Sequence, residues 1–505
     1  MNRFWKLLGR HRAEFVRLLV FSSVLSAIEA FLHPLMLKWL FDEAVIAQNF
    51  QRFIYLGLGY LGLGLLIAGL FFLSVLWRKR LSNRLQIELE GRLLEKTLLM
   101  DWKVFEQEGS GSFLNRIHRD VQEGLVPMLG LVIGVSQQAL ATIVFLGVLA
   151  YLSWKATVAL LIIAPPLIWA AQRVSSQIRQ ATADERAYEG RYLHILTQTL
   201  KAFKMLRNLL HLRQPTFDAN RDALKAYLDS SFSNHRLISL QRTWSDIFMN
   251  LANTLSLLVG GYYVLTRELS FGSYLAFVNA FWRAVDNLFS LLKTIPELNR
   301  YVQILGRVEE LFDAKPASYA KPSSSVRLHG VGLSYAGNAI LHSIDLEIPK
   351  GERLLLLGPN GSGKTTLLNV LSGYMAPDCG EVTLPERISA LTAPIELPPL
   401  TVDALVPDKN LRAALNLDEV EGQEVNALSS GQKQKAAIGA ALSQDADLFI
   451  FDEPTSNLDV DSKDRVMGLI FRFTSGNTLV MVLHGENEYQ SQFDRIVNLG
   501  QLNQA

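Results

Sequence analysis

The chain has 505 residues, 49% of them hydrophobic and only 19% charged. That length exceeds what one core fills and implies two or three structural units, and so little charge argues against an ordinary soluble enzyme. The net charge of +1 gives no reason to expect a nucleic-acid partner, and the single cysteine, Cys379, excludes an intramolecular disulfide framework and fits a reducing cytosol around the C-terminal part.

Residues Met1–Arg12 set Phe4, Trp5, Leu7 and Leu8 among Arg3, Lys6, Arg10 and Arg12. This suits an amphipathic helix at the inner membrane surface, and equally a cytosolic extension of a first span. Six runs then offer the roughly 20 apolar residues that a bilayer helix needs. They are Phe15–Phe41, Phe53–Trp77, Leu125–Leu152, Trp154–Ala171, Leu240–Leu265 and Gly272–Leu292. The first is too long for the apolar part of a signal peptide and carries Glu29 in its middle. Buried helices of a soluble protein would be shorter and would not sort charge by side.

Charge sets the orientation. The connection Arg78–Gly124 holds nine Lys/Arg and Arg173–Ser239 holds eleven, whereas the opposite connections hold Arg52, Lys155 and Arg267. The excess places both long loops and both termini in the cytoplasm, in an integral protein of the cytoplasmic (inner) membrane. Within the spans lie Glu29, Arg242, Asp246, Asn279, Arg283, Asp286 and Asn287. Arg242/Asp246 and Arg283/Asp286 have the spacing for pairing on one helix face. These residues suit either a polar or amphipathic cargo site or internal ion pairs that hold the bundle together. Pro165-Pro166 predicts a kink in the fourth span.

After Asp313–Ser325, where Ala-Lys-Pro occurs twice, the sequence turns to short β-type runs broken by Gly and Pro. Leu354–Leu357 reads as a buried strand, Gly358–Gly363 as the turn after it, and Lys364-Thr-Thr-Leu-Leu-Asn369 as the start of a helix. Glycines let backbone N–H groups close around phosphate oxygens, and a helix N-terminus adds a favourable dipole. Lys364 would reach the β and γ phosphates and the Thr365 hydroxyl would bind Mg²⁺. Leu428-Ser-Ser-Gly-Gln-Lys-Gln-Lys435 is a second phosphate-binding phrase. Leu448–Phe451 is another buried strand, ending in Asp452 for the Mg²⁺ shell and Glu453 to polarise an attacking water. Thr478–Leu483 is a third strand, with His484 at its end to contact a γ phosphate.

With these motifs in hand, the chain resembles ABC exporter half-transporters of the six-span, type IV exporter fold, over nearly its whole length. The resemblance implies an all-α six-helix transmembrane domain (1–312), a linker (313–325) and an α/β P-loop NTPase domain of ABC type (326–505). It implies ATP and Mg²⁺ as cofactors. Gly358, Asn360, Gly361, Ser362, Gly363, Lys364, Thr365 and Thr366 then belong to the Walker A loop, and Leu448–Asp452 forms Walker B. Glu453 is the catalytic base and His484 the switch histidine. Ser429, Gly431 and Gln432 are signature contacts, Asn457–Asp459 is the D-loop with Asp459 at the nucleotide, and Tyr335 stacks on adenine. In the family the P-loop of one subunit faces the signature of another, which implies a homodimer or heterodimer of half-transporters. Membrane lipid and a transported small molecule or peptide are the other expected partners. Coupling helices are expected near Asp101–Ser112 and Ala202–Arg213.

Three departures matter. The family's glutamine after the strand that follows the P-loop helix is missing from Ile388–Pro394, where Ala393 aligns best. Lys364 and Ser429 are only 65 residues apart, which predicts a shortened helical subdomain over Thr401–Leu428. The signature carries Ser430 for a usual glycine and Lys435 for a usual arginine. The first expectation is an ATP-hydrolysing exporter of an amphipathic or polar substrate, whether peptide, lipid, siderophore or drug. The alternative is an ATP-dependent membrane sensor or regulator without net transport; an importer ranks third.

Overall fold

The computed structural model describes residues 2–45, 48–173, 175–314, 320–335, 338–484 and 487–502. The chain forms two compact units, Met1–Leu89 with Asp120–Gly306, and Glu90–Arg119 with Arg307–Ala505.

The helices of the N-terminal part are α1 (Asn2–Leu8), α2 (Arg12–Trp39), α3 (Phe50–Leu98), α4 (Trp102–Glu108), α5 (Ser110–Leu114) and α6 (Val126–Arg173). They continue as α7 (Ser175–Lys201), α8 (Phe203–Asn208), α9 (Arg213–Leu265) and α10 (Phe271–Phe312). Among the described residues, three helical stretches are long and apolar enough to cross a membrane: Arg3–Glu43, Phe50–Leu98 and Ser110–Val158. The expected fourth span lies largely among side chains outside the described residues.

The first unit is all-helical. Its N-terminus turns at Gly9 (φ 49°), and Phe4 packs edge-on against Phe15 with ring centres 5.4 Å apart. Thus α1 folds back on α2 and does not simply lengthen it. One core joins Ala30 of α2, Phe145 and Leu149 of α6, and Phe277, Phe281 and Ala284 of α10. Small residues here let helix backbones come close, which is how helices associate where lipid competes for apolar contact. By contrast, Leu58, Leu61, Leu65, Leu66 and Phe72 of α3 are exposed. An outward apolar face of this kind suits a surrounding solvent that is hydrocarbon rather than water.

One expectation needs correcting. The residues Arg242/Asp246 and Arg283/Asp286 do not neutralise one another along their helices. Arg283 instead donates to Glu29 at 3.1 Å, joining α10 to α2. Among the described residues Arg242, Asp246 and Asp286 make no ion pair. In both spacings the base precedes the acid, the less favourable order on a helix. The break between the third and fourth runs falls where the sequence puts it, at Ser153 (φ −162°, ψ 97°), while the backbone at Pro165-Pro166 is helical. Ser153 Oγ accepts from Ala156 N at 3.3 Å and so caps the following helix. Membrane helices tolerate proline when neighbours re-satisfy the freed backbone groups.

At the far end of the bundle, Asp42 lies in a π-helical segment, Leu40–Val45. Its carboxylate accepts from Gly272 N at 2.7 Å and from Ser270 Oγ at 2.5 Å, tying the end of α2 to the start of α10. A Cβ on Gly272 would lie 2.5 Å from the Lys38 carbonyl, backbone that cannot swing aside.

The second unit contains a mixed four-stranded sheet ordered β1-β5-β2-β3 and a parallel five-stranded sheet ordered β6-β7-β8-β4-β9. The strands are β1 (Ala320–Pro322), β2 (Val326–Tyr335), β3 (Asn338–Ile348), β4 (Arg353–Leu357), β5 (Cys379–Leu384) and β6 (Ile388–Leu391). β7 (Leu448–Asp452), β8 (Thr478–Val482) and β9 (Arg495–Asn498) complete them. Of the expected linker, 315–319 lie outside the described residues, whereas Ala320–Pro322 pairs with β5. Besides α4 and α5, the unit's helices are α11 (Lys364–Leu371), α12 (Val402–Leu405), α13 (Lys409–Ala414), α14 (Ser430–Leu442), α15 (Val460–Phe473) and α16 (Leu499–Leu502).

Strand alternation explains why β4, β7 and β8 are unbroken apolar runs. Leu354, Leu356, Ile450, Val480 and Val482 face α11 and the mixed sheet, in one core. Leu355, Phe449, Phe451, Leu479 and Met481 face α14, α15 and the 401–428 stretch, in another. A parallel strand covered on both faces has no solvent side to make polar.

Replacing Gly272 with alanine is expected to destabilise the first unit by about 1–3 kcal/mol. The check is a lowered thermal midpoint of the purified protein in detergent relative to the parent.

Candidate active site

Register brings the motifs together. β8 lies between β7 and β4, with Asp452 opposite Val482 and Leu356 opposite Val482. Three parallel strands therefore end side by side, and the P-loop, Glu453 and His484 leave from the same carboxyl edge. Ligands bind at that edge in open parallel α/β sheets.

The P-loop turns through Gly361 (φ 82°) and Gly363 (φ 92°), and Gly363 leads directly into α11. A Cβ at Gly363 would sit 3.1 Å from both Ile340 and Leu341, so that site needs glycine for room as well as for its backbone. Lys364 Nζ donates to the carbonyls of Gly358 (2.8 Å) and Pro359 (3.0 Å), which holds the ammonium over the loop. The α11 N-terminus, the loop amides and this ammonium form a cradle for a polyphosphate.

The Thr365 hydroxyl donates to Asp452 Oδ2 at 2.9 Å, and Asp452 is 5% exposed. Two hard oxygen ligands side by side at the phosphate end fit a Mg²⁺ ion. Glu453 follows with φ 48°, a left-handed conformation that costs a non-glycine residue on the order of 1–3 kcal/mol. Its amide is held by Val482 O at 3.0 Å. From α14, Gln434 Nε2 donates to Pro454 O at 2.8 Å and Glu453 O at 3.4 Å. Gln434 was not among the expected site residues, although it sits inside the signature phrase. Only its burial distinguishes it from the two lysines on either side.

Ser429 caps α14: its hydroxyl accepts from Gln432 N at 3.3 Å, while Gln432 Oε1 accepts from Ser429 N at 3.0 Å. Both side chains thus set the helix N-terminus and its dipole. A Cβ on Gly431 would come 3.2 Å from Asn457 O, so the signature abuts the D-loop segment closely. Asp459 is spent locally, accepting from Ser462 N (2.8 Å) and Ser462 Oγ (2.9 Å) as the α15 cap. Those bonds hold its carboxyl below the usual carboxylate range. His484 is exposed, beyond the end of β8.

Tyr335 closes β2 against Asn338. Loss of solvent and a hydrogen bond to the Glu106 carboxylate push its phenol upward from the ordinary value. Glu106 belongs to α4, which Asp101 caps by accepting from Lys103 N at 2.7 Å. Trp102 and Phe105 of that helix stack in a row with Phe113 of α5.

The chain belongs to the ABC transporters. The family model described as ABC transporter transmembrane region matches residues 16–283, and that described as ABC transporter matches 341–456. One membrane region is fused to one nucleotide domain, so this is an exporter half-transporter, an ATPase that powers export. Similar proteins include one named ATP-dependent lipid A-core flippase in Burkholderia pseudomallei, 25% identical over 80% of this chain and 75% of its own length. A protein of the same name in Ralstonia nicotianae is 22% identical over 100% of this chain and 93% of its own.

Gln434→Ala leaves the buried Pro454 carbonyl without its donor, a loss of about 1–3 kcal/mol. Steady-state Mg²⁺-ATPase assays are expected to show kcat falling roughly tenfold or more while KM for ATP changes little.

Proposed function

We propose that two copies, or this chain with a second half-transporter, export an amphipathic molecule across the cytoplasmic membrane by alternating access. The observation that carries this reading is the shared strand edge from which the P-loop, Asp452–Glu453 and His484 emerge, fused to apolar helices.

In this reading the P-loop glycines and Lys364 bind the β and γ phosphates, and Tyr335 stacks on the adenine. Mg²⁺ supplies charge neutralisation, and Thr365 and Asp452 would hold it. Glu453 takes a proton from the attacking water, and its fixed backbone aims the carboxylate. His484 contacts the γ phosphate. The signature residues Ser429, Gly431 and Gln432 serve the nucleotide of the other copy. Closure of the two nucleotide domains then opens the membrane cavity outward, and hydrolysis resets it.

Six spans with both termini cytoplasmic, the domain limits 1–312 and 326–505, and a trimmed helical subdomain at 401–428 complete the proposal. The dimer draws support from the tip of the second long loop, where Phe203, Met205, Leu209 and Leu210 are exposed. Among candidate cargoes, lipid is favoured by the relatives' names. A 580 Å³ cavity in the first unit is compatible with it, combining Leu37, Leu257 and Leu275 with Tyr274, Asn279 and Arg283. Among the described residues Asn279 Oδ1 there is buried without a hydrogen-bond partner, so a ligand donor would gain from reaching it.

Glu453→Gln is expected to lower Mg²⁺-ATPase activity in lipid by about 10²–10⁴-fold while ATP binding persists. Wild-type protein lacking ATPase activity would overturn the reading. The sensor alternative is favoured by the missing glutamine. Turnover in vesicles with no movement of labelled phospholipid, peptide or drug across the membrane would select it.

A further inference from the structure

No glutamine occurs between β6 and α12, so the family's usual link from nucleotide to loop is missing here. The second unit nevertheless contains an unbroken polar path from the first long loop to the adenine side of the site. Asp101, besides capping α4, accepts from Ala376 N at 2.8 Å through its other oxygen. Trp102 N donates to Tyr374 O at 2.7 Å. Lys103 Nζ donates to Asp378 Oδ1 at 2.8 Å. The second oxygen of Asp378 accepts from Ser334 N at 2.6 Å, one residue before Tyr335. Glu106 holds the Tyr335 hydroxyl itself.

Asp378 thus has one oxygen on the loop and one on the strand that carries the aromatic ring. An exposed ion pair alone contributes little. Here the same carboxylate also accepts a backbone amide, a charge-assisted bond with a fixed direction. If Ser334 shifts as adenine stacks on its neighbour, Asp378 must either follow and draw Lys103 along or give up one bond. α4 is covalently continuous with the apolar helices through α3 and α6.

We propose that Asp378 is a positioning residue that joins the adenine-stacking end of β2 to α4, so that nucleotide occupancy at Tyr335 reaches the first loop through Ser334, Asp378 and Lys103 without a glutamine. The inference rests on the reading of Tyr335 as the adenine contact and adds a residue-level route to it. Asp378 does not touch the nucleotide in this scheme; it acts through Ser334. Cys379, its exposed neighbour, takes no part.

The test uses full-length protein in nanodiscs of phosphatidylethanolamine and phosphatidylglycerol, with Glu453→Gln present to prevent turnover. Amide hydrogen exchange of Asp101–Gly109 is measured with and without Mg²⁺-ATP, and ATP affinity is titrated in parallel. In the parent, ATP is expected to change exchange of that segment by about fivefold or more, the low end of ordinary allosteric coupling. Lys103→Ala and Asp378→Asn are expected to bind ATP as the parent does yet lose this response, and Lys103→Arg to keep it. Lys103 lies on the opposite side of the pair from the nucleotide domain's strands, so its variant tests the route even if Asp378→Asn folds poorly. A full response in Lys103→Ala overturns the proposal, as does a response lost only in step with ATP affinity. A parent that binds no ATP overturns the ATPase reading instead, and this inference with it; ATP binding with a silent loop overturns the inference alone.

Discussion

Parallel strands β4, β7 and β8 hydrogen-bond in one register, and the residues assigned to phosphate chemistry hang from their carboxyl ends. The constraint is geometric. A strand buried on both faces can place polar groups only where it stops, and neighbours of matched register stop together. Asp452 sits at that limit: the last residue of β7, nearly buried, with the Thr365 hydroxyl 2.9 Å away. A slip of one residue along β7 would turn Asp452 to the opposite face and separate it from the P-loop. The two cores that clamp the sheet therefore hold the site's geometry as much as its stability.

The same logic extends outward from the sheet. Glu453 keeps an unfavourable backbone because Val482 and Gln434 hold it from two directions, and Gln434 is supplied by the helix that Ser429 and Gln432 begin. Helix α14 thus supports the segment after β7 in its own chain, besides the role proposed for its first residues towards another copy. In the first unit, a carboxylate does the comparable work: Asp42 fastens α2 to α10 by capping the latter's first turn. One charged pair in the bundle likewise bridges helices, Arg283 to Glu29, where an isolated charge in hydrocarbon would be costly.

Much of this was legible beforehand because it is local. Glycines at fixed spacing between an apolar run and a helix start announce a phosphate loop, and Asp452–Glu453 after four apolar residues announces a strand end. Apolar runs separated by basic loops announce membrane helices. What stayed hidden was pairwise and distant. Nothing in Arg283-Ala-Val-Asp286 says that the arginine will turn to Glu29, 254 positions away. Asp378 reads as an ordinary turn residue until Lys103 and Ser334 are seen on its two oxygens.

By itself the amino-acid order determined the class of protein and where the glycine loop and the strand-end acids fall, because periodicity, loop glycines and strand-end acids are encoded within a few consecutive positions. Only the tertiary structure decided which side chains meet across elements: Thr365 with Asp452, Gln434 beneath Glu453, and Asp378 between Lys103 and Ser334. Such meetings depend on strand register and helix packing, which are set by burial summed over the whole unit and leave no mark on any short stretch of chain.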